Sequence, residues 1–300
     1  MPLPPADHKK PDITVHFDGI IPKNADRSPT PTGRMWKKEG DYYKLCYYNQ
    51  TGYVIQFKIN SSGTSIHISQ SWPEWGDTLF VLMNPAMAAA ISLQGYPILH
   101  GSSMVCNGNA FVISGISGAG KSSLTTALAA EGVALHSDDI SVVDMDATMP
   151  RVAPGYPRLK IDTTLPQYLS LNDATLLPVV TTEADLSEKW ISADELPGGF
   201  HPDSAPLSGI FVLLERLPDQ DTPSVTRLSP MAGTLALTEH IYGREWLNPP
   251  DFQHLQFCRQ LAESLPIYQV SMPDNLSKLS ESARFLLNNY ILTLTEHKPV

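Results

Sequence analysis

Residues 115–123, Gly115-Ile116-Ser117-Gly118-Ala119-Gly120-Lys121-Ser122-Ser123, constrain this chain more than any other segment. They contain G-x-x-x-x-G-K-[ST], and both flanks suit it. Ala110-Phe111-Val112-Ile113-Ser114 is a short apolar run that reads as a buried strand, and Leu124–Ala130 starts a helix that ends at Gly132. Strand, glycine loop and helix in that order turn the motif into a phosphate cradle. Glycines let successive N–H groups converge on one point, and the helix N-terminus adds a partial positive charge. In such a loop Gly115, Ser117, Gly118, Ala119, Gly120, Lys121, Ser122 and Ser123 hold a nucleotide, with Lys121 on the β/γ-phosphates and the Ser122 hydroxyl on Mg²⁺. The plain alternative, a Gly/Ser-rich turn between two elements, does not account for both flanks.

Composition narrows the partners. A net charge of −10 argues against nucleic acid, and the acidic residues are spread out as on a solvated surface. No apolar stretch approaches the roughly 20 residues that span a bilayer. The stretch Met1–Lys10 has no apolar h-region, and the three cysteines, Cys46, Cys106 and Cys258, are isolated. These features predict a cytoplasmic protein with reduced thiols, no membrane partner, and access to ATP and Mg²⁺.

The pattern along the chain predicts an α/β fold with α+β character. Residues 1–78 form a smaller β-rich region, a candidate for substrate recognition, and 79–300 the P-loop domain. A strand is expected near Ile13–Phe17 and a β-meander over 42–69, punctuated by Asn49–Gly52 and Asn60–Gly63. Asn84-Pro85 has the signature of a helix start, with Asn84 as cap. Tyr96–Cys106 reads as a strand joined by the turn Asn107-Gly108-Asn109 to the P-loop strand, so two adjacent antiparallel strands lead to the loop. Residues 149–206 are rich in prolines and turn formers and read as irregular loops and short strands, some near the site. Ile210–Leu214 and Ile267–Val270 read as strands, and 230–242, 251–264 and 274–291 as helical.

Asp138-Asp139 follows an apolar run, 17 residues beyond Lys121. A phosphate site with a metal needs a carboxylate nearby, and two in tandem can divide the work. One organises Mg²⁺, and the other accepts a proton from an attacking hydroxyl. An Asp capping a turn is the simpler alternative. His100 is expected mid-strand beside the P-loop strand. His100 and His136, taken alone, read as half-buried core histidines.

Leu99-His100-Gly101-Ser102-Ser103, the loop 115–123, Gly132 and Ser137-Asp138-Asp139 together resemble the bacterial HPr kinase/phosphorylase superfamily. The likeness is strongest to its divergent HPr-kinase-related branch of serine kinases. Pro154–Lys160 and Pro206–Arg216 are similar to that branch as well, and the resemblance covers roughly residues 79–290. It implies a P-loop kinase domain of the HPr kinase and phosphoenolpyruvate carboxykinase type. It implies that Asp138 takes the proton of the substrate serine, that His100 orients Asp138, and that Ser122 with Asp139 holds Mg²⁺. It leaves open which of the two aspartates does which job. A cation for the transferring phosphoryl group is also needed. Arg158, Lys160, Lys189 and Arg216 are candidates, with Arg158 and Lys160 preferred because they follow a Pro-Gly turn.

The resulting expectation is ATP- and Mg²⁺-dependent phosphoryl transfer to a serine of a protein or precursor peptide, catalysed by Lys121, Asp138 and His100. The chain lacks the signature downstream of the acidic pair that the bifunctional HPr kinase/phosphorylases carry. That enzyme is one alternative, and a nucleotide-binding switch without turnover is another. Members of the family often assemble, so a homo-oligomer is compatible with the resemblance.

Overall fold

The computed structural model describes residues 13–23, 33–48, 52–71, 75–145, 149–171, 176–178, 188–243 and 252–296. Expectations for Met1–Lys10 and Asn49–Thr51 therefore lie outside the described residues. The chain divides into two compact units: the first holds Met1–Tyr96 together with Val180–Ala184 and Gly243–Pro249, and the second holds Pro97–Val179, Asp185–Tyr242 and Pro250–Val300.

The first unit is a five-stranded sheet in the order β1-β5-β4-β3-β2, made of β1 (Thr14–Ile20), β2 (Gly33–Glu39), β3 (Tyr42–Tyr48), β4 (Val54–Asn60) and β5 (Ser65–Gln70). Strands β3 to β5 form the antiparallel meander that the alternating apolar residues and turn signals predict, and β2, not expected from the sequence, extends it antiparallel to β3. β1 pairs in parallel with β5. Ile55, Phe57, Ile59, Ile66 and Ile68 share a buried cluster with Val81, Leu82, Ala86, Ala89 and Ala90 of the following helical stretch. That stretch is α1 (Gly76–Val81), a π-helical turn (Leu82–Ala86) and α2 (Met87–Leu93). Asn84-Pro85 is thus internal to a helix instead of starting one. Proline lacks the N–H that an α-helical bond needs, and a π turn is one way a helix takes in such a residue. Helices over 76–93 belong to this unit, so it reaches beyond residue 78.

The second unit begins with β6 (Ile98–Cys106) and β7 (Asn109–Gly115), then α3 (Lys121–Ala130), β8 (Ala134–Ser137) and β9 (Ile140–Asp144). It continues with β10 (Arg151–Val152), β11 (Arg158–Asp162), α4 (Pro166–Leu169), β12 (Leu177–Pro178), β13 (Glu188–Ser192), β14 (Ala205–Leu213) and β15 (Ser224–Arg227). Then come α5 (Pro230–Thr238), α6 (Phe252–Ser264), β16 (Ile267–Ser271), α7 (Leu279–Leu286) and, after a π turn, α8 (Leu292–Glu296). Its main sheet runs β10-β9-β6-β7-β14-β16-β15, with β8 also on β6. β6 and β7 form the expected hairpin, because Asn107 and Gly108 both take the positive φ of a tight turn. β7, β14 and β16 are parallel neighbours.

Helices cover both faces of this sheet, the arrangement of an α/β domain. Phe111, Ile113 and Phe211 pack with Leu124 and Leu128 of α3 and with Ala283 and Leu286 of α7. Val112, Ile210 and Val212 pack with Leu237 of α5 and with Phe257 and Leu261 of α6. α5 starts where Ser229 accepts the Ala232 N–H, as its Ser-Pro start predicts, and ends at Thr238, earlier than the apolar run suggests. Within the region of expected loops and short strands lies a small antiparallel sheet, β11-β13-β12. Among the described residues no helix is long and apolar enough to cross a membrane.

Candidate functional site

β7 is buried along its whole length and delivers Gly115 to the carboxyl end of the parallel strands. Gly115, Gly118 and Gly120 adopt φ of 152°, 83° and 99°, values that suit glycine. At Gly115 a Cβ would also stand 2.8 Å from the Leu213 carbonyl oxygen, so the loop leaves the sheet where only glycine fits. Ile116, Ser117 and Gly118 are exposed, Ala119 and Lys121 are buried, and Ser122 and Ser123 are half-buried at the start of α3. The Thr125 hydroxyl donates to Lys121 O at 2.9 Å, and the Thr126 hydroxyl donates to Ser122 O at 2.6 Å. These bonds pin the first turn, whose N–H groups have no intrahelical acceptor.

The Lys121 Nζ donates to Gly115 O at 2.9 Å and to Ile116 O at 3.3 Å. Burial holds its pKa below the ordinary value, with Asp139 and Asp138 opposing that shift and Lys160 adding to it. Asp138, Asp139 and Lys160 are thus near enough to act on the Lys121 charge.

The acidic pair is placed by strand register. β8 and β9 both run antiparallel to β6, Ser137 lying opposite Ser103 and Ile140 opposite His100. The two residues between them therefore stand against Ser102 and Gly101. Asp138 is 1% exposed; its Oδ1 accepts from the Ser102 hydroxyl at 3.0 Å and its Oδ2 from the Lys160 N–H at 2.9 Å. Burial first, and the Asp139 charge second, push its pKa up to about 7. Asp139 turns at φ 60°, a left-handed conformation that aspartate tolerates. Its carbonyl accepts the Gly101 N–H at 3.1 Å and its carboxylate meets the Lys160 Nζ at 3.7 Å. Two adjacent residues thus present one buried carboxylate, held by Ser102 and the Lys160 N–H, and one half-buried carboxylate beside the Lys160 ammonium.

The other sequence candidates are dispersed. Arg158 lies on β11 with its guanidinium over the Trp190 ring, 5.2 Å from the centroid, while Lys160 two residues on reaches the acidic pair. Both stand on a strand, not on a loop. Arg216 follows β14 and pairs with Asp274 at 2.9 Å. His100 sits near the start of β6, opposite Ile140, with its N–H on His240 O and its ring edge-on to Tyr242. The groups seen to orient Asp138 are Ser102 and Lys160. His136 is fully buried, its ring nitrogens against the carbonyls of Val152 and His201, and burial pushes its pKa down. Sequence reasoning passed over Ser102, whose only signal was its place in the Leu99–Ser103 stretch.

The fold and loop define an α/β unit with a glycine-rich turn at the carboxyl end of its central strand. No protein-family model matches the chain, and no curated protein matches it. Among solved structures, the HPr(Ser) kinase/phosphatase from Coxiella burnetii is similar over 66% of this chain and 97% of that one, at 14% identity and a TM-score of 0.35. A likeness at that level carries no inference about residues or activity.

Proposed function

We propose that the second unit is a phosphotransferase that moves the γ-phosphoryl group of ATP to a serine hydroxyl of a protein or peptide. The observation that carries this reading is that Asp138 and Asp139 are bonded to Ser102 and Gly101 of β6, which pair with Ile113 and Ser114 of β7 just before the glycine loop of Lys121. The loop suits a triphosphate: its exposed stretch runs into a helix N-terminus, and a Cβ on Gly118 would meet nothing within 4 Å. The metal fits as well. Among the described residues no three or more His, Cys, Asp or Glu cluster as a metal cage. Mg²⁺ does not need one, since it takes one or two protein oxygens and completes its shell with phosphate and water. Ser122 and Asp139 would hold it, and when bound it would neutralise charge on the phosphates.

Asp138 takes the proton of the serine hydroxyl as that oxygen bonds to the γ-phosphorus and the bridging oxygen leaves with the diphosphate. Each of its oxygens accepts one hydrogen bond and keeps a lone pair for that proton. A pKa raised to about 7 suits a base working near neutrality. Lys121 is aligned with the phosphates by the two carbonyls that now hold it, and Lys160 supplies positive charge beside the acidic pair.

The test is incubation with γ-labelled ATP and Mg²⁺ in the presence of HPr and of serine-bearing peptides, with mass spectrometry of the acceptors. Phosphoserine on an acceptor is expected. Asp138→Asn should keep ATP binding and slow transfer by about 10²–10⁴-fold, the range for loss of a general base. Lys121→Ala should lose binding and transfer together. Wild-type transfer by Asp138→Asn would remove the base assignment, and failure to label any acceptor would remove the transfer reading.

A further inference from the structure

β7 separates two different surfaces at the carboxyl end of the sheet. On its β6 side stand Asp138 and Asp139. On its other side lie β14 and β16, whose ends lead into Arg216 and Met272. A recess opens there, lined by Gly120 and Ser123 of the loop and by Arg216, Met272, Asn275 and Leu276. From this geometry we infer that the recess receives the base and ribose of the nucleoside triphosphate, an assignment that rests on the proposed phosphate-binding role of the loop.

The direction of a bound triphosphate supports it. Lys121 marks the γ-phosphate end, and the first residues of α3 mark the α-phosphate end. Ser123 belongs to that second end and lines the recess. A nucleoside leaving the α-phosphate there points away from the acidic pair and across the ends of β14 and β16. Ligands of open α/β sheets commonly lie in that position, outside the carboxyl ends of parallel strands.

The chemistry also matches. A nucleobase has apolar faces and a polar edge. The buried Met272 and the half-buried Leu276 offer an apolar wall. Arg216 is held at the rim by Asp274, and its side chain lies alongside Gly120, its Cδ 3.9 Å from where a Cβ would stand. A flat guanidinium in that place can stack on a base. Asn275 accepts from the Ser277 N–H and hydroxyl through Oδ1, which leaves its amide NH₂ as a donor for an acceptor on the base edge. Arg216, a sequence candidate for the transferring phosphoryl group, is thereby reassigned to the nucleoside.

The experiment is calorimetric titration of the full chain with ATP and with inorganic tripolyphosphate, which lacks base and ribose. Wild type should bind ATP at least about tenfold more tightly than tripolyphosphate. Leu276→Trp, which fills the recess, should abolish that difference by weakening ATP and leaving tripolyphosphate unchanged. Arg216→Met alters only a partly exposed side chain and should reduce the difference in the same sense, even where Leu276→Trp fails to fold. Equal wild-type affinities, or a difference untouched by Arg216→Met and by a folded Leu276→Trp, would overturn the recess assignment and leave the loop's role standing. Absence of tripolyphosphate binding, or binding that survives Lys121→Ala, would overturn both.

Discussion

Asp138 combines nearly complete burial with two hydrogen-bond donors, and the two influences oppose each other. Burial and Asp139 raise its pKa, while the Lys160 N–H, the Lys160 charge and the Ser102 hydroxyl lower it, leaving it near 7. The folded protein therefore holds a proton between about pH 4 and 7 that the unfolded chain has already released. Stability of the nucleotide-free, metal-free protein should fall as pH rises through that window. Asp138→Asn should flatten that part of the stability–pH curve, as read by chemical denaturation at a series of pH values. Ser102→Ala removes a donor to the charged carboxylate and should move the decline to higher pH. A curve unchanged by either variant would show that Asp138 does not titrate there.

At the scale of elements, the site depends on how closely β6 and β7 approach. A Cβ on Gly101 would lie 2.5 Å from the Ile113 carbonyl oxygen, a backbone atom that cannot swing away. The Ser114 and Ser141 hydroxyls fix the same segment through His100 O and Gly101 O, at 2.7 and 2.9 Å. Gly101→Ala should cost about 1–3 kcal/mol, as overpacking does. It should appear as a lower urea midpoint at unchanged slope. The variant should also lose phosphoryl transfer more than ATP binding, because Gly101 and Ser102 hydrogen-bond to the acidic pair directly and meet the glycine loop only through the β7 residues Ile113 and Ser114. A variant as stable and active as wild type would contradict the role given to this contact.

For the whole molecule, the consequence of the proposed function is linkage between ligand and stability. ATP at one hundred times its dissociation constant should stabilise the fold by about 2.7 kcal/mol, read as a rise in Tm. Lys121→Ala should abolish the rise. The local features behind this expectation were legible in the sequence because they are contiguous. The strand–loop–helix around 115–123, the Asn107-Gly108 turn and the Ser229-Pro230 helix start need only near neighbours. Local signals also mislead: Asn84-Pro85 looks the same at a helix start and inside a π turn, and only the preceding α1 distinguishes them. Short strands are expected among the prolines and turns of 149–206, but the β11-β13-β12 strands carry too little periodicity to be located, and their order comes from pairing with each other. Tertiary structure alone decided that Ser102 and Lys160, 36 and 22 residues away, would be the donors to Asp138. It also placed Arg216 across β7 from the acidic pair and lined Arg158 up with Trp190. The physical reason is that residue type and near-neighbour spacing specify local conformation, whereas strand register and sheet order bring distant side chains together and bury them.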